Sequence, residues 1–173
     1  MIFCELREIF IEEINSLLEL QSTILGTKIE LEIFSPETRD SILKIFQEGG
    51  GGYGFYYNEK VVAYALFRIP GTSPDNLGKD IGLPNTELLN VVHIETIVVH
   101  PDFRGNSMQL ELIKQLEQKS MDHKKSHILC TVSPDNIYSL NNFLKSGFTI
   151  ITNLPKYGGF NRHILYKKVH NVH

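Results

Sequence analysis

The first third of the chain carries apolar residues at strand-like and then helix-like spacings. Residues 2–9 predict a short strand, after which apolar side chains recur with helical spacing to about residue 23. Ser35 and Pro36 offer an N-cap and a proline at a first helical position, so a second helix is predicted at about 36–47. The chain therefore begins with a strand and two helices.

The middle of the chain is dominated by apolar runs that predict strands. The runs GYGFYY and VVAYALFRI are separated by the polar segment Asn58-Glu59-Lys60, which predicts an antiparallel hairpin. Residues 70–90 hold three prolines and three glycines, and long loops in compact domains are often functional, so a substrate lid is predicted there. The next run, VVHIETIVV, is typical of a central strand buried on both faces.

Helices and strands alternate over the rest of the chain. The turn HPDFRGNS leads into an amphipathic helix at about 107–122, HILCTV is a further buried strand, and YSLNNFLKS is a short helix that ends at Gly147. FTIITN and RHILYKKV form a last strand pair around a turn near Gly158-Gly159. This order predicts a mixed α/β (α+β) fold in a single domain over residues 1–173.

Composition narrows the classes of function. The formal charge of -3 comes from 17 basic and 20 acidic residues spread along the chain, so no basic stripe for nucleic acid is formed. No apolar run approaches membrane-spanning length and no secretory pattern is visible, which predicts a cytoplasmic protein without membrane contact. Cys4 and Cys130 lie far apart and predict two buried thiols. The seven histidines form no paired ligand motif, so no metal is predicted.

The segment IETIVVHPDFRGNSMQLELIKQLE carries the strongest chemical signal. A buried strand that runs into an Arg-Gly turn and an amphipathic helix presents several backbone N–H groups at a helix N-terminus, where phosphate binds. Gly105 allows a pyrophosphate to approach closely, and Arg104, Asn106 and Ser107 offer side-chain donors. The alternative is a strand-to-helix turn whose glycine only relieves backbone geometry.

The run VVHPDFRGNS before an amphipathic helix resembles the acetyl-CoA-binding signature of the GNAT superfamily of N-acetyltransferases. A second segment, SPDNIYSLNNFLKSGF, is similar to the next block of that family, with Asn136, Ser139, Gly147 and Phe148 at matching positions. The order of elements over residues 2–169 also resembles the family's mixed, mostly antiparallel central sheet with flanking helices and splayed central strands.

This resemblance implies that acetyl-CoA is the acyl donor and that its acetyl group passes directly to a primary amine of a small molecule or peptide. Main-chain groups of 97–99 would bond the pantetheine arm and stabilise the thioester oxygen as it gains charge. The positions implied for acetyl-CoA binding are Ile97, Val98, Val99, Arg104, Gly105, Asn106, Ser107, Met108, Gln109, Asn136 and Phe143.

The chain departs from the family pattern in the phosphate turn and at the general acid. Ser107 replaces the usual second glycine and Gln109 another small residue; Ser107 is expected to act as an N-cap, although its Cβ limits the approach of a pyrophosphate. Phe143 occupies the position where many relatives carry a tyrosine proposed to protonate the departing thiolate, and a phenyl ring cannot donate a proton. The alternatives are Tyr138, which is the predicted catalytic tyrosine, Tyr157 and Tyr166.

Glu95 is the predicted general base, because an amine must lose its proton before it attacks a thioester. It is an acidic residue in an otherwise apolar strand, at a position where some relatives carry a glutamate assigned this role. On a strand of period two, Glu95 shares one face with Ile97 and Val99, and His93 on that face is a second candidate. The alternative is a structural glutamate that bonds a lysine or a backbone amide.

Two other functions fit parts of the sequence. Ser107 and Phe143 together suggest a coenzyme A-binding sensor or partner-binding module that has lost activity. A dinucleotide-binding domain fits less well, because no G-x-G-x-x-G follows an early strand. The acceptor and the oligomeric state stay open, with a homodimer as one arrangement.

Two sequence features argue against other kinds of site. The glycines at 49–52 precede a strand and lack a following Lys-Ser/Thr, so they predict a flexible connection and not a phosphate loop. Cys130 has no histidine placed beside it, which favours direct transfer over a cysteine-linked intermediate.

Overall fold

A mixed sheet of seven strands forms the centre of the computed structural model, which describes residues 3–25 and 33–170. The strands lie in the spatial order β1-β2-β3-β4-β5-β7-β6, and all neighbours are antiparallel except the parallel pair β4 and β5. The predicted mixed, mostly antiparallel sheet is therefore confirmed. In chain order the strands are β1 (Glu5–Glu8), β2 (Gly51–Tyr57), β3 (Lys60–Arg68), β4 (Val91–Val99), β5 (His127–Val132), β6 (Thr149–Lys156) and β7 (Phe160–Lys168).

Helices cover both faces of this sheet. Along β3, Tyr64 and Leu66 pack with the two N-terminal helices, whereas the alternate residues Ala65 and Phe67 join the cluster beneath the fourth helix. In the described part of the chain the helices are α1 (Ile14–Leu25), α2 (Arg39–Gln47), α3 (Leu77–Asp80), α4 (Met108–Asp122) and α5 (Ile137–Lys145). Short 3-10 turns join them at Ile11–Glu13, Asn85–Asn90 and Pro101–Phe103.

Helix α2 begins later than the sequence predicts. Thr38 and not Ser35 is its N-cap: the Thr38 side chain accepts a hydrogen bond from the Ser41 N–H at 3.1 Å, and the Thr38 N–H donates to Ser41 Oγ at 2.9 Å. This reciprocal pair satisfies two groups at the helix end and fixes where the helix starts. Ser35 is thereby left in the segment before the helix.

Residues 70–90 are folded against the sheet and do not form the predicted lid. Helix α3 and the turn Asn85–Asn90 occupy much of the segment, and Leu77 packs against Val91, Leu129 and Ile164. The buried Asn76 side chain accepts from the Gly78 N–H at 2.8 Å and donates to the carbonyls of Gly71 and Leu88. Such a satisfied polar core residue makes the segment a fixed wall.

The glycines at 49–52 serve strand packing. Strand β2 begins at Gly51, and a Cβ added at Gly52 would lie only 2.3 Å from the carbonyl oxygen of Ala65 on β3. A side chain at Gly52 would therefore force the two strands apart. The prediction of a flexible connection is wrong at these two residues.

Strand β4 departs from regular pairing on both sides at Glu95. Towards β3, Leu66 pairs with Thr96 and Phe67 with Ile94, so Glu95 is an extra residue in a β-bulge. Towards β5, only Val91–Ile94 pair, with His127–Cys130. Beyond Ile94 the two central strands diverge, as the sequence resemblance implies.

Candidate functional site

The divergence of β4 and β5 opens a cleft in the middle of the sheet. One side of the cleft is Glu95, Thr96 and Ile97 of β4, and the other is the end of β5. Helix α5, the segment before α2 and the β6–β7 hairpin complete its walls. The residues they contribute are Ile33, Phe34, Ser35, Asn136, Ser139, Phe143, Tyr157 and Arg162.

The bulge changes which residues of β4 share a face. Ile94 and Ile97 are three residues apart and both belong to the core cluster beneath α4, together with Val99. Glu95 instead lies beside His93, with Oε1 3.4 Å from His93 Nδ1. The prediction that Glu95 shares a face with Ile97 and Val99 is thus wrong, because one extra residue inverts the alternation.

Glu95 is a partly buried carboxylate with an unused oxygen. Its side chain is 19% exposed, and Oε1 lies 3.6 Å from Arg68 Nη1 but makes no hydrogen bond within the described part of the chain. The neighbouring His93 accepts a hydrogen bond from the Leu77 N–H through Nε2 at 3.0 Å, which leaves its ring proton on Nδ1, facing Glu95. Glu95 Oε1 thus lies buried in the wall of the cleft, and among the described residues it accepts no hydrogen bond.

The predicted phosphate turn lies at the start of α4 and presents unpaired donors. Residues 104–107 are exposed, and the backbone N–H groups of 105–110 donate to no acceptor among the residues that the structure describes. Gly105 has φ +80°, a conformation that glycine adopts without strain. A cluster of free N–H groups at a helix N-terminus is a site for anionic groups.

Three side chains of this turn and helix are engaged in ways that the sequence does not predict. The Asn106 amide donates to the carbonyls of Phe103 at 2.8 Å and Arg104 at 3.4 Å, so it braces the turn. Gln109 donates to Ser139 Oγ at 2.9 Å and accepts from Asn142 at 3.0 Å, which ties α4 to α5. Met108 is buried in the core, so its main chain and not its side chain faces the turn.

Ser107 occupies the N-cap position of α4 without capping it. Its backbone is left-handed, with φ 57°, and its side chain makes no cap hydrogen bond. The predicted side-chain cap is therefore wrong, because the left-handed backbone directs the hydroxyl away from the N–H groups of the first turn. A residue with a Cβ pays a conformational penalty in this region of φ and ψ.

Replacing Ser107 by glycine is expected to stabilise the fold by about 0.5–1 kcal/mol, since glycine removes the left-handed strain. Chemical denaturation measures this change. Ser107→Ala is the matched control: it keeps the Cβ and loses only the hydroxyl, so it should leave the free energy of unfolding unchanged. A loss above about 1 kcal/mol in the alanine variant would instead identify the hydroxyl as a cap.

Helix α5 places two of the residues predicted to bind acetyl-CoA, Asn136 and Phe143, at the cleft. The Asn136 side chain caps the helix by accepting from the Ser139 N–H at 3.3 Å. Phe143 is buried and packs edge-to-face against Phe148, with ring centroids 5.1 Å apart. Phe143 therefore provides an apolar wall of the cleft.

Of the candidate tyrosines, the structure brings Tyr157 to the cleft. Tyr138 is 88% exposed on the outer side of α5, whose inner side carries Phe143, and Tyr166 bonds His127 Nδ1 through its hydroxyl at 2.9 Å. Tyr157 is 50% exposed, but its hydroxyl lies 3.0 Å from Thr131 Oγ1 at the end of β5. Desolvation raises the pKa of Tyr157, so its proton is retained through neutral pH.

Two arginines are absent from the sequence-predicted site: Arg162 lines the cleft, and Arg68 lines the pocket beside it that also contains Glu95. Arg68 holds Asp75 through Nη1 at 2.8 Å and Nη2 at 2.9 Å, and this pairing keeps the pKa of Asp75 well below its usual range. Arg162 of β7 is only 3% exposed and points into the cleft. The sequence carries a signal for the burial of Arg162. It stands two residues before the apolar Ile164, and alternate residues of a strand share a face, so both side chains are expected on the same buried face.

A profile of the acetyltransferase (GNAT) family matches residues 12–148 of the chain, a span that contains the phosphate turn, the bulged strand and α5. The chain belongs to this family. As a GNAT acetyltransferase it catalyses acetyl transfer, with acetyl-CoA as the donor that the family uses. No curated protein sequence matches the chain significantly.

Solved structures of GNAT proteins resemble this one over almost their whole length. A putative acetyltransferase from Salmonella typhimurium, solved with its cofactor acetyl-CoA, is 17% identical with a TM-score of 0.72, covering 98% of this chain and 95% of the other. An N-acetyltransferase from Staphylococcus aureus Mu50 is 17% identical with a TM-score of 0.69, covering 95% and 96%. The ribosomal-protein-S18-alanine N-acetyltransferase from Escherichia coli is 12% identical with a TM-score of 0.69, covering 96% and 94%. At these identities the likeness is one of fold.

The described residues, 3–25 and 33–170, hold neither a metal cluster nor a membrane-spanning helix. No cluster of three or more His, Cys, Asp or Glu side chains is placed there to hold a metal ion. Among the same residues, no helix has the length and apolar character to cross a membrane.

Proposed function

We propose that this GNAT acetyltransferase transfers the acetyl group of acetyl-CoA directly to a primary amine of a small molecule or peptide. The observation that carries the proposal is the Glu95 carboxylate, which has a buried oxygen without a hydrogen bond in the cleft between the diverging strands. A base in this position takes the proton of an incoming ammonium and leaves the nitrogen lone pair free to attack.

The residues of the chain fit acetyl-CoA, which supplies an activated acetyl thioester when bound. The free N–H groups at the start of α4 suit its phosphates, and Phe143 offers an apolar surface in the cleft. The β4 residues after Ile94 have no ladder partner in β5, so their main-chain groups on that side are free for the pantetheine amides. Ser107 puts a Cβ where relatives have glycine, which weakens the site without removing its N–H donors.

Two side chains divide the proton transfers. Glu95 accepts a proton from the amine, and the Tyr157 hydroxyl donates towards the departing sulfur. Tyr157 replaces Tyr138 in this role, because Tyr157 lines the cleft and Tyr138 is exposed to solvent. The pKa of Tyr157 is raised by desolvation, which keeps the hydroxyl in its donating form.

Direct transfer fits the cleft better than a cysteine-linked route. Cys130 lines the cleft, but burial raises the pKa of its thiol far above neutrality. A thiol is a poor nucleophile compared with a thiolate. The acetyl group therefore passes to the amine without forming a covalent intermediate with the protein.

The second candidate is a coenzyme A-binding module without turnover, favoured by the left-handed Ser107 and by the phenyl ring of Phe143. The two functions separate in one experiment on the full chain. Acetyl-CoA binding is measured by isothermal titration, and thiol release is then followed with a panel of primary amines. Amine-dependent thiol release supports the transferase; micromolar binding with no release above hydrolysis for any amine supports the module.

Replacing Tyr157 by phenylalanine is expected to lower kcat by about 10- to 100-fold, because the donor to the leaving sulfur is lost. The contribution of Tyr157 is present below its raised pKa and is lost above it, so the difference between wild type and variant should persist to at least about pH 10. Tyr138→Phe is the control and should stay within about twofold. Equal losses in both variants would contradict the assignment.

A further inference from the structure

Arg162 is a buried cation with an unused donor. The residue is 3% exposed, and Nη1 donates to the carbonyl of the adjacent Asn161 at 3.0 Å. Nη2 is buried and finds no hydrogen-bond acceptor among the described residues. Arg162 lines the cleft, so this buried donor lies in the cleft wall, next to the space that a bound molecule would fill.

The other cations near the cleft already have acidic partners. Arg68 is held by Asp75 at 2.8 Å and lies 3.4 Å from Glu48, and Lys156 pairs with Asp80 at 2.7 Å. No acidic group of the described residues lies within ion-pair distance of Arg162. Its guanidinium instead lies near the aromatic rings of Tyr157 and Phe160, whose centroids are 5.7 and 5.8 Å from the guanidinium carbon, near the outer limit for cation–π contacts.

Arg162 faces the side of the sheet on which the acceptor base lies. Ile164, two residues along β7, packs with Leu77 of α3, whereas the intervening Leu165 packs in the cluster beneath α4. Glu95 is on the α3 side as well, beside His93, whose ring accepts from the Leu77 N–H. The phosphate turn begins α4 on the opposite face, so Arg162 is not placed to serve the phosphates of coenzyme A.

A buried guanidinium without an acidic partner is costly, and Arg162 has no such partner among the described residues, so the ligand that relieves this cost is an anion. Desolvation lowers the pKa of Arg162, as expected for a charge without a counter-ion. An anion that enters the cleft offsets the cost and gains charge-assisted hydrogen bonds from the planar fork. Glu95 in the same cleft repels excess negative charge, which favours a monoanionic carboxylate over a dianionic phosphate.

We infer that Arg162 binds a carboxylate of the acceptor, so the acceptor is an amino-acid-like small molecule that carries both a primary amine and a carboxylate. The inference rests on the proposed function, since it places the amine at Glu95 and the carboxylate at Arg162. It narrows the acceptor from amines in general to amino carboxylates. Amines without an acid group would leave the guanidinium unpaired and would be poor acceptors.

Binding of product-like probes tests the inference without turnover. The full chain with coenzyme A is titrated calorimetrically with N-acetyl amino acids and with the corresponding N-acetyl amino acid amides, which differ only in the carboxylate. Wild type is expected to bind the best carboxylate about 10- to 100-fold more tightly than its amide. Arg162→Met should abolish this difference, and Arg162→Lys should restore part of it. No discrimination by wild type at millimolar probe would overturn the inference.

Kinetics with free amino acids and their amides provide the second test. The expected result is a kcat/KM for the best amino acid about 10- to 100-fold above that for its amide, lost in Arg162→Met with acetyl-CoA affinity unchanged. A variant that loses acetyl-CoA affinity and keeps acceptor discrimination would overturn the assignment. If no amine is acetylated while the carboxylate probes still discriminate, the proposed function fails and the anion site stands.

The melting temperature separates a binding role from a structural one. Arg162→Met removes a charge that has no acidic partner among the residues that the structure describes, so its melting temperature should equal or exceed that of wild type. If Arg162→Met melts well below wild type and fails to bind carboxylates, its loss of binding could come from unfolding, and Arg162→Lys then decides the question. The lysine variant keeps the positive charge. If it melts like wild type and still binds amides, but shows no preference for carboxylates, the electrostatic role of Arg162 is contradicted.

Discussion

Replacing Glu95 by glutamine is expected to lower kcat by about 10²- to 10⁴-fold, because the amide cannot accept the proton of the attacking amine. The substitution is nearly isosteric, and Glu95 Oε1 makes no hydrogen bond that the change would break among the described residues. Stability and acetyl-CoA affinity should therefore stay close to those of wild type. Steady-state kinetics, isothermal titration and thermal unfolding on the same preparations check the three expectations.

The pH dependence of the Glu95→Gln variant gives a sharper test. Without a base, the enzyme must use amine that is already neutral, and this fraction rises about tenfold per pH unit below an α-amine pKa of about 8. The deficit should therefore shrink towards alkaline pH. His93→Gln is the control and should cost far less, because Nε2 of His93 is engaged by the Leu77 N–H. Wild-type rates in Glu95→Gln at neutral pH would refute the base.

Introducing glutamate at Gly105 is expected to weaken acetyl-CoA binding by about 10²-fold or more, because a carboxylate would face the phosphates at the helix N-terminus. A Cβ at Gly105 meets no atom of the described residues within 4 Å, so the side chain fits and acts mainly by its charge. The backbone strain at φ +80° adds a stability cost that must be measured separately. Isothermal titration gives the affinity and chemical denaturation the stability.

Gly105→Asn is the matched control for that variant. Asparagine tolerates the left-handed region and carries no charge, so its acetyl-CoA affinity should stay within about tenfold of wild type. If both variants lose binding equally, the backbone of the turn and not its potential decides affinity. If neither variant changes affinity, the phosphates bind elsewhere and the assignment of the turn is wrong.

The order of helices and strands follows from the sequence because each element has a local signature. The hairpin is an example: Asn58 and Glu59 have φ values of 47° and 65°, and asparagine is a favoured residue in such tight turns. The amphipathic stripe of α4 and the glycine after α5 likewise specify their elements without reference to distant residues. Local chemistry thus accounts for most of the fold.

The geometry of the site depends on pairings that no local pattern encodes. The run VVHIETIVV is apolar at odd and even positions alike, so its pattern does not predict the bulge that places Glu95 and Ile97 on opposite faces. The exposure of Tyr138 and the approach of Tyr157 to Thr131 likewise depend on where α5 and the β6–β7 hairpin dock. Those contacts join residues far apart in the chain, which spacing arguments do not reach.

The phosphate turn illustrates a third case, in which the residue was predicted and its conformation was not. Ser107 is a common N-cap type, and a serine before a helix ordinarily bonds the first turn. Here the preceding Arg-Gly segment delivers the chain in a left-handed conformation, so the same residue stands at the cap without capping. The backbone conformation at Ser107, and not the chemistry of its side chain, determines that the hydroxyl does not cap the helix.

The bulge in β4 means that the position of the Glu95 carboxylate depends on the number of residues in the strand. Strand β4 carries one residue more than β3 requires between the Phe67–Ile94 and Leu66–Thr96 pairs. Substitutions at other positions of the strand do not change the number of residues, so the carboxylate can keep its position while the sequence around it changes. A deletion of a single residue there would restore a regular ladder and leave a well-paired sheet with no carboxylate at the bulge. An insertion or deletion in β4 is therefore expected to move the Glu95 carboxylate out of the cleft even where Glu95 itself is kept.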